Sequence, residues 1–167
     1  MKKTMLIIVG FVLTLLTMSA FVDVRRSARI GSEAPTLVLE RADSSLALDG
    51  LRGKKVVLSF WSAADAQSRL DQNRLATAMR RAAEDSETVV VSVNLDRSEK
   101  LMKEIAAIDN LDESSQFHVG DATAESAIRE VFEMADGLRT FIIDERGIIV
   151  KVDPSEKELA QALASRN

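Results

Sequence analysis

Cysteine is absent and histidine single, so the residues that could do chemistry are mainly carboxylates and hydroxyls, and their spacing limits what they can do. Asp65 stands immediately before a helix-forming stretch that opens at Ala66, and Ser68 follows three residues later. An aspartate at that place can act as a general acid or base, or it can cap the helix by accepting backbone N–H bonds, a contribution of about 1 kcal/mol. Capping needs only the one residue, whereas acid–base work needs a partner that no neighbouring motif supplies. Ser68 as a nucleophile would need a base and an oxyanion hole. The single histidine, His118, belongs to a separate element with no motif tying it to Ser68. There is no cysteine, so thiol nucleophiles, internal disulfides and thiolate metal sites are excluded. One histidine leaves no pair for zinc or iron. Asp109, Asp112, Glu113 and Asp121 follow no calcium-loop template and read as solvated loop residues. An all-oxygen site for calcium or magnesium stays formally open, but no metal and no other cofactor is expected. Arg69, Arg74, Arg80 and Arg81 read as a solvated helix face rather than an anion site.

The elements that must position these residues begin after an unusual amino terminus. Residues 5–22 form a charge-free apolar run of 18 residues, preceded by Lys2 and Lys3 and followed by Asp23, Arg25 and Arg26. Its length lies between that of a signal-peptide core and that of a full membrane span, so both readings stand. A cleavable signal would be cut after Ser19, with Thr17 at −3, or after Ala20; the two arginines beyond the run favour an uncleaved anchor. On either reading the remainder is exported, with residues 1–22 as signal or anchor, 23–33 as a polar linker and 34–167 as one domain. Without the first 22 residues the chain holds 20 basic against 26 acidic residues, a net charge of −6. Nucleic acid is therefore not an expected partner, because phosphate binding needs a positive footprint.

Within the domain, Val56–Phe60 and Val89–Asn94 are short β-branched runs, as strands buried on both faces require. A helix predicted from Ala66 to about Asp85 lies between them, with Ser68, Leu75, Met79 and Ala82 on one face and Leu70 off it. Strand, helix, strand implies a right-handed parallel crossover. A second helix runs from Ser98, its cap, to about Asp109, and a third lies near Ala124–Met134 after a short segment at Gln116–Val119. Thr140–Asp144 and Ile148–Val152 form a hairpin around Glu145-Arg146-Gly147, with Gly147 supplying a positive φ. Ser155 and Glu158 make a capping box that opens the last helix. The order gives an α/β sandwich with a mixed sheet.

The stretch Gly50-Leu51-Arg52-Gly53-Lys54-Lys55-Val56-Val57-Leu58-Ser59-Phe60-Trp61 resembles the start of the membrane-tethered, TlpA- or ResA-like thioredoxin-fold proteins of the AhpC/TSA-redoxin type. Ala34-Pro35 with Leu37-Val38-Leu39, Leu46 and Leu48 is similar to that family's added N-terminal hairpin, and Thr140–Gly147 to its "TFLID, x, x, G" hairpin. The resemblance covers about residues 31–165. It implies a thioredoxin-like three-layer α/β/α sandwich with a mixed sheet and added N-terminal hairpin, on the periplasmic side of the inner membrane. It also implies what is missing. Asp65 and Ser68 stand where the family has the two cysteines of C-x-x-C, and Leu138, or its neighbour Arg139, where it has a cis-proline. The only prolines are Pro35 and Pro154, and a non-proline cis bond costs about 2.5–4 kcal/mol, so a trans peptide is expected there. Trp61, Asp65 and Arg139 are the candidate binding residues, Trp61 being either a surface anchor or a half-buried ring packed on the helix start. The leading expectation is a redox-inactive module that binds an envelope protein or peptide. The alternatives are an enzyme of other chemistry around Asp65 and Ser68, and an accessory partner of an active thiol-disulfide oxidoreductase.

Overall fold

A computed structural model describes residues 28–41, 44–82 and 87–164. The signal or anchor assigned to residues 1–22 lies outside the described residues. Ala28 is buried in the main core, and Gly31 and Ser32 exchange backbone hydrogen bonds with Ile149. Residues 28–33, placed in the linker by the sequence, are thus attached to the domain by the Ala28 side chain and by the backbone of Gly31 and Ser32, which a residue pattern does not show.

Seven strands and four α-helices make up the described chain. A hairpin of β1 (Val38–Arg41) and β2 (Ser44–Ala47) leads through a 3-10 turn at Leu48–Leu51 into β3 (Val56–Trp61). Then come α1 (Ala66–Arg81), β4 (Val89–Asn94), α2 (Glu99–Ile108), β5 (Gln116–His118), α3 (Ala122–Val131), β6 (Thr140–Ile143), β7 (Ile149–Val152) and α4 (Glu156–Ala164). The main sheet has the order β5-β4-β3-β6-β7. β3 pairs in parallel with β4, and β4 with β5, while β6 and β7 run antiparallel. This is the expected thioredoxin-like sandwich with its mixed sheet and added hairpin.

All six residues of β3 are buried, and alternation along the strand divides two cores. Val56, Leu58 and Phe60 face Leu37, Leu39, Phe132 and Phe141, where the rings of Phe60, Phe132 and Phe141 meet in tilted or edge contacts. Val57 faces Leu75, Ala78, Leu159 and Leu163 of α1 and α4, and Trp61 faces Met102 and Ala106 of α2. Sequence and structure differ at two helix ends. α1 stops at Arg81, because Ala82 turns to an extended conformation, and α3 stops at Val131, before Glu133 adopts a positive φ. Leu70 is exposed on α1, off the buried face, and Gly147 has φ 80° in the β6–β7 turn.

The capping box forms as read: Glu158 Oε2 accepts from the Ser155 N–H at 2.9 Å and from its hydroxyl at 2.8 Å. Lys151 Nζ lies 2.7 Å from the other carboxylate oxygen. The Lys151 bond and the two Ser155 bonds hold the Glu158 carboxyl down at about 2. A depressed carboxyl stabilises the fold above its ordinary pKa and loses that contribution as the pH falls through its folded value. The stability difference between this chain and Glu158→Gln is accordingly expected to be full above about pH 5 and to close as the pH approaches 2, which urea titrations at stepped pH will measure.

Candidate functional site

β3 and β4 run in parallel with Trp61 opposite Asn94, so whatever follows each strand must meet beyond their carboxyl ends. In open α/β sheets that is where sites lie. Here Ser62–Asp65, leading into α1, meets Leu95–Asp96. The Asp96 carboxylate accepts three hydrogen bonds: from the Ser62 hydroxyl at 2.6 Å, the Ala63 N–H at 2.7 Å and the Asn94 side-chain amide at 2.7 Å. The Asn94 side-chain oxygen in turn accepts from the Asp96 N–H. Such charge-assisted bonds are the stronger kind, and they fasten the loop to the end of the neighbouring strand.

Asp65 is the helix cap. Its Oδ1 accepts from the Ser68 N–H at 2.6 Å, and its backbone is extended as an N-cap requires. Ser68 is buried, and its hydroxyl donates to the Asp65 carbonyl at 3.0 Å while accepting from the Ser62 N–H at 3.2 Å. The Ser68 hydroxyl is thus engaged with backbone. His118 lies 2.7 Å from the Asp96 carbonyl through Nε2; a carbonyl only accepts, so that nitrogen carries the proton. The structure therefore brings Asp65 and Ser68 together as cap and capped turn, and brings His118 to Asp96 rather than to Ser68 as a base.

Trp61 requires a correction. Its side chain is wholly buried, neither a surface anchor nor a half-buried ring, because β3 extends one residue further than read and α2 crosses over it. The indole N–H donates to Gln116 Oε1 at 3.0 Å, which satisfies its polar atom inside the core. Leu138 is half-buried against the main core, and Arg139 is half-buried with its carbonyl accepting from the Phe60 N–H at 3.0 Å. No cis peptide occurs among the described residues, so the loop before β6 is trans, as expected from the absence of proline. Asp65 and Arg139 keep partly accessible side chains at this end of the sheet; Trp61 does not.

Several polar residues that organise this region escaped the sequence reading. Gln72 is buried beneath α1 and donates to the Ser59 hydroxyl at 2.8 Å, which meets Thr140 Oγ1 at 2.7 Å. Gln72 falls on the same helix face as Ser68, Leu75 and Met79, so periodicity alone could have found it. Asp96 was also findable, from the parallel register that puts the ends of β3 and β4 side by side. Arg69 is not merely solvated: it grips Asp109 with bonds of 2.7–3.0 Å that tie α1 to the end of α2, and the Asp109 hydrogen bond raises the Arg69 pKa further. Asp112 and Asp121 cap the 3-10 turn before β5 and α3. No group of three metal-binding side chains gathers among the described residues. Nor is any helix among them long and apolar enough to cross a membrane.

Solved structures with this architecture are numerous. A thioredoxin-like protein from Parabacteroides distasonis is 27% identical, covering 82% of this chain and 96% of that one, with a TM-score of 0.68. The thioredoxin domain of a thiol-disulfide oxidoreductase from Bacteroides vulgatus is 21% identical over 80% of this chain and 94% of that one, with a TM-score of 0.67. A thiol:disulfide interchange protein from a Bacteroides species is similar at 21% identity, over 80% and 86% of the two chains, with a TM-score of 0.68. No curated protein sequence matches the chain. The AhpC/TSA family description matches residues 30–152, well over half of the chain. With that match, the thioredoxin-like sandwich and the absence of any sulfhydryl, the chain belongs to the AhpC/TSA family as a degenerate member that cannot perform thiol-disulfide chemistry.

Proposed function

We propose that the chain is an exported thioredoxin-fold module that binds a protein or peptide in the cell envelope, at or near the periplasmic side of the inner membrane. The observation that carries this reading is the condition of the loop before α1. Asp96, Asp65 and Ser68 all use their oxygens to hold backbone or the side chains of Ser62 and Asn94, so the place where the family does its chemistry is here a structural joint. Recognition through surface is what such a scaffold retains. Export is supported by the charge-free run 5–22 flanked by Lys2 and Lys3.

The reading is tested on the full chain in a bacterial host, with a photoreactive amino acid placed in turn at the exposed positions Leu70, Ala107, Val131 and Val150. A discrete protein adduct in the envelope fraction from at least one position is expected, together with activity of an alkaline phosphatase fused after Asn167. Silence at every position, or ester or peptide turnover that disappears in Asp65→Ala, would overturn it.

A further inference from the structure

Away from the loop before α1, a cleft of about 1070 Å³ opens between α2, the edge strand β5 and β1. That is at the top of the range for small-molecule sites, room for a chain segment rather than an ion. Its floor is apolar: Met102, Ala106 and Phe117 are buried, and Leu111 is half-buried. Its charges are unevenly engaged. Lys103 is paired with Glu99 at 2.8 Å. Arg41 donates to the carbonyls of Ser114 and Gln116 and lies over the Phe117 ring, 4.4 Å from its centroid. Glu40 and Glu113, exposed on the rim, make no side-chain hydrogen bond or ion pair with any described residue. Arg41 keeps its charge, since carbonyls are neutral, and Glu113 acts on Lys103 through space. The lining nevertheless carries three carboxylates, Glu40, Glu99 and Glu113, against Arg41 and Lys103, so its net charge is negative.

We infer that this cleft holds a cationic peptide segment of a partner protein, an apolar side chain seated on Met102 and Phe117 with flanking lysine or arginine at Glu40 and Glu113; this deepens the binding reading above and rests on it. The mode is side-chain docking rather than addition of a strand to the sheet. Arg41 occupies the Gln116 carbonyl, and the Gln116 N–H bonds to the Glu113 carbonyl, so the outer edge of β5 is closed at Gln116. Met102 suits such a floor because its unbranched thioether adapts to different side chains.

The chain's only tryptophan, Trp61, lies behind the cleft against Met102 and Gln116 and there is no tyrosine, so its fluorescence reports on occupancy. The experiment titrates the full chain, in neutral maltoside detergent, with a tryptophan-free decapeptide of alternating lysine and leucine and with its glutamate and leucine counterpart. The lysine peptide is expected to bind and to shift the emission, and the glutamate peptide to bind at least tenfold more weakly. Glu40→Lys with Glu113→Lys, and separately Ala107→Arg on the rim, should each weaken the lysine peptide at least tenfold while circular dichroism stays unchanged. Equal binding of both peptides, or indifference to both variants, overturns the inference. So does a dimer that Ala107→Arg dissociates, since the occupant would then be a second copy. Envelope adducts from Leu70, Val131 or Val150 with none from Ala107, and no peptide binding, would overturn the cleft but leave the binding module standing; no adducts anywhere would remove both.

Discussion

Replacing Trp61 with alanine is expected to destabilise the protein by about 4 kcal/mol, the usual cost of emptying a large aromatic site in a packed core. The side chain is wholly buried against Met102 and Ala106, and α2 cannot collapse freely into the space because Arg69 and Asp109 tie its end to α1. The change also leaves Gln116 Oε1 without its indole donor in a buried site, which adds to the loss. Trp61→Phe separates the two effects: the ring volume is largely kept and the hydrogen bond is lost, so about 1–2 kcal/mol is expected. Equilibrium unfolding in urea measures both. A surface anchor would behave differently, with Trp61→Ala stripping away partner binding at unchanged stability. That pattern would contradict the burial described here.

Asp96→Ala is expected to cost about 3 kcal/mol, since hydrogen bonds to a charged group contribute more than neutral ones and their donors are left behind. Three donors lose their acceptor at once, and one of them, Asn94, is wholly buried. Asp96→Asn retains one carbonyl oxygen and should recover roughly half of that loss. Because the Ala63 N–H is held by Asp96 alone among the described residues, its hydrogen exchange should accelerate in the alanine variant more than that of amides in β3. Unchanged unfolding midpoints with unchanged exchange at Ala63 would mean that the loop is held by something other than this carboxylate. This chain uses the region before α1 to join two strands and a helix.

Much of the fold was legible because its signals are local. The β-branched runs of β3 and β4, the caps at Asp65, Ser98 and Ser155, and the glycine in the β6–β7 turn each depend on neighbours within a few residues. Periodicity placed Ser68 and Leu75 inward and Leu70 outward, and each is so. The site was less legible, because its contacts join distant segments. Asp96 reaches Ala63 across 33 residues, Arg69 reaches Asp109 across 40, and Trp61 reaches Gln116 across 55. Periodicity could place Gln72 inward, on the face of Ser68 and Leu75, but not the Ser59 hydroxyl that receives its amide, because that partner lies on another element.

The amino-acid sequence by itself determined that this protein cannot exchange disulfides, since an atom missing from the composition is missing in every conformation. It also determined the kind and order of the main elements, which follow from short-range sterics and alternation of apolar residues. Only the tertiary structure decided that Trp61 lies inside, that Asp96 closes the loop before α1, and that Glu40 and Glu113 meet on the rim of the cleft beside β5. Those outcomes depend on which polar groups packing brings within bonding distance, and no local pattern encodes that.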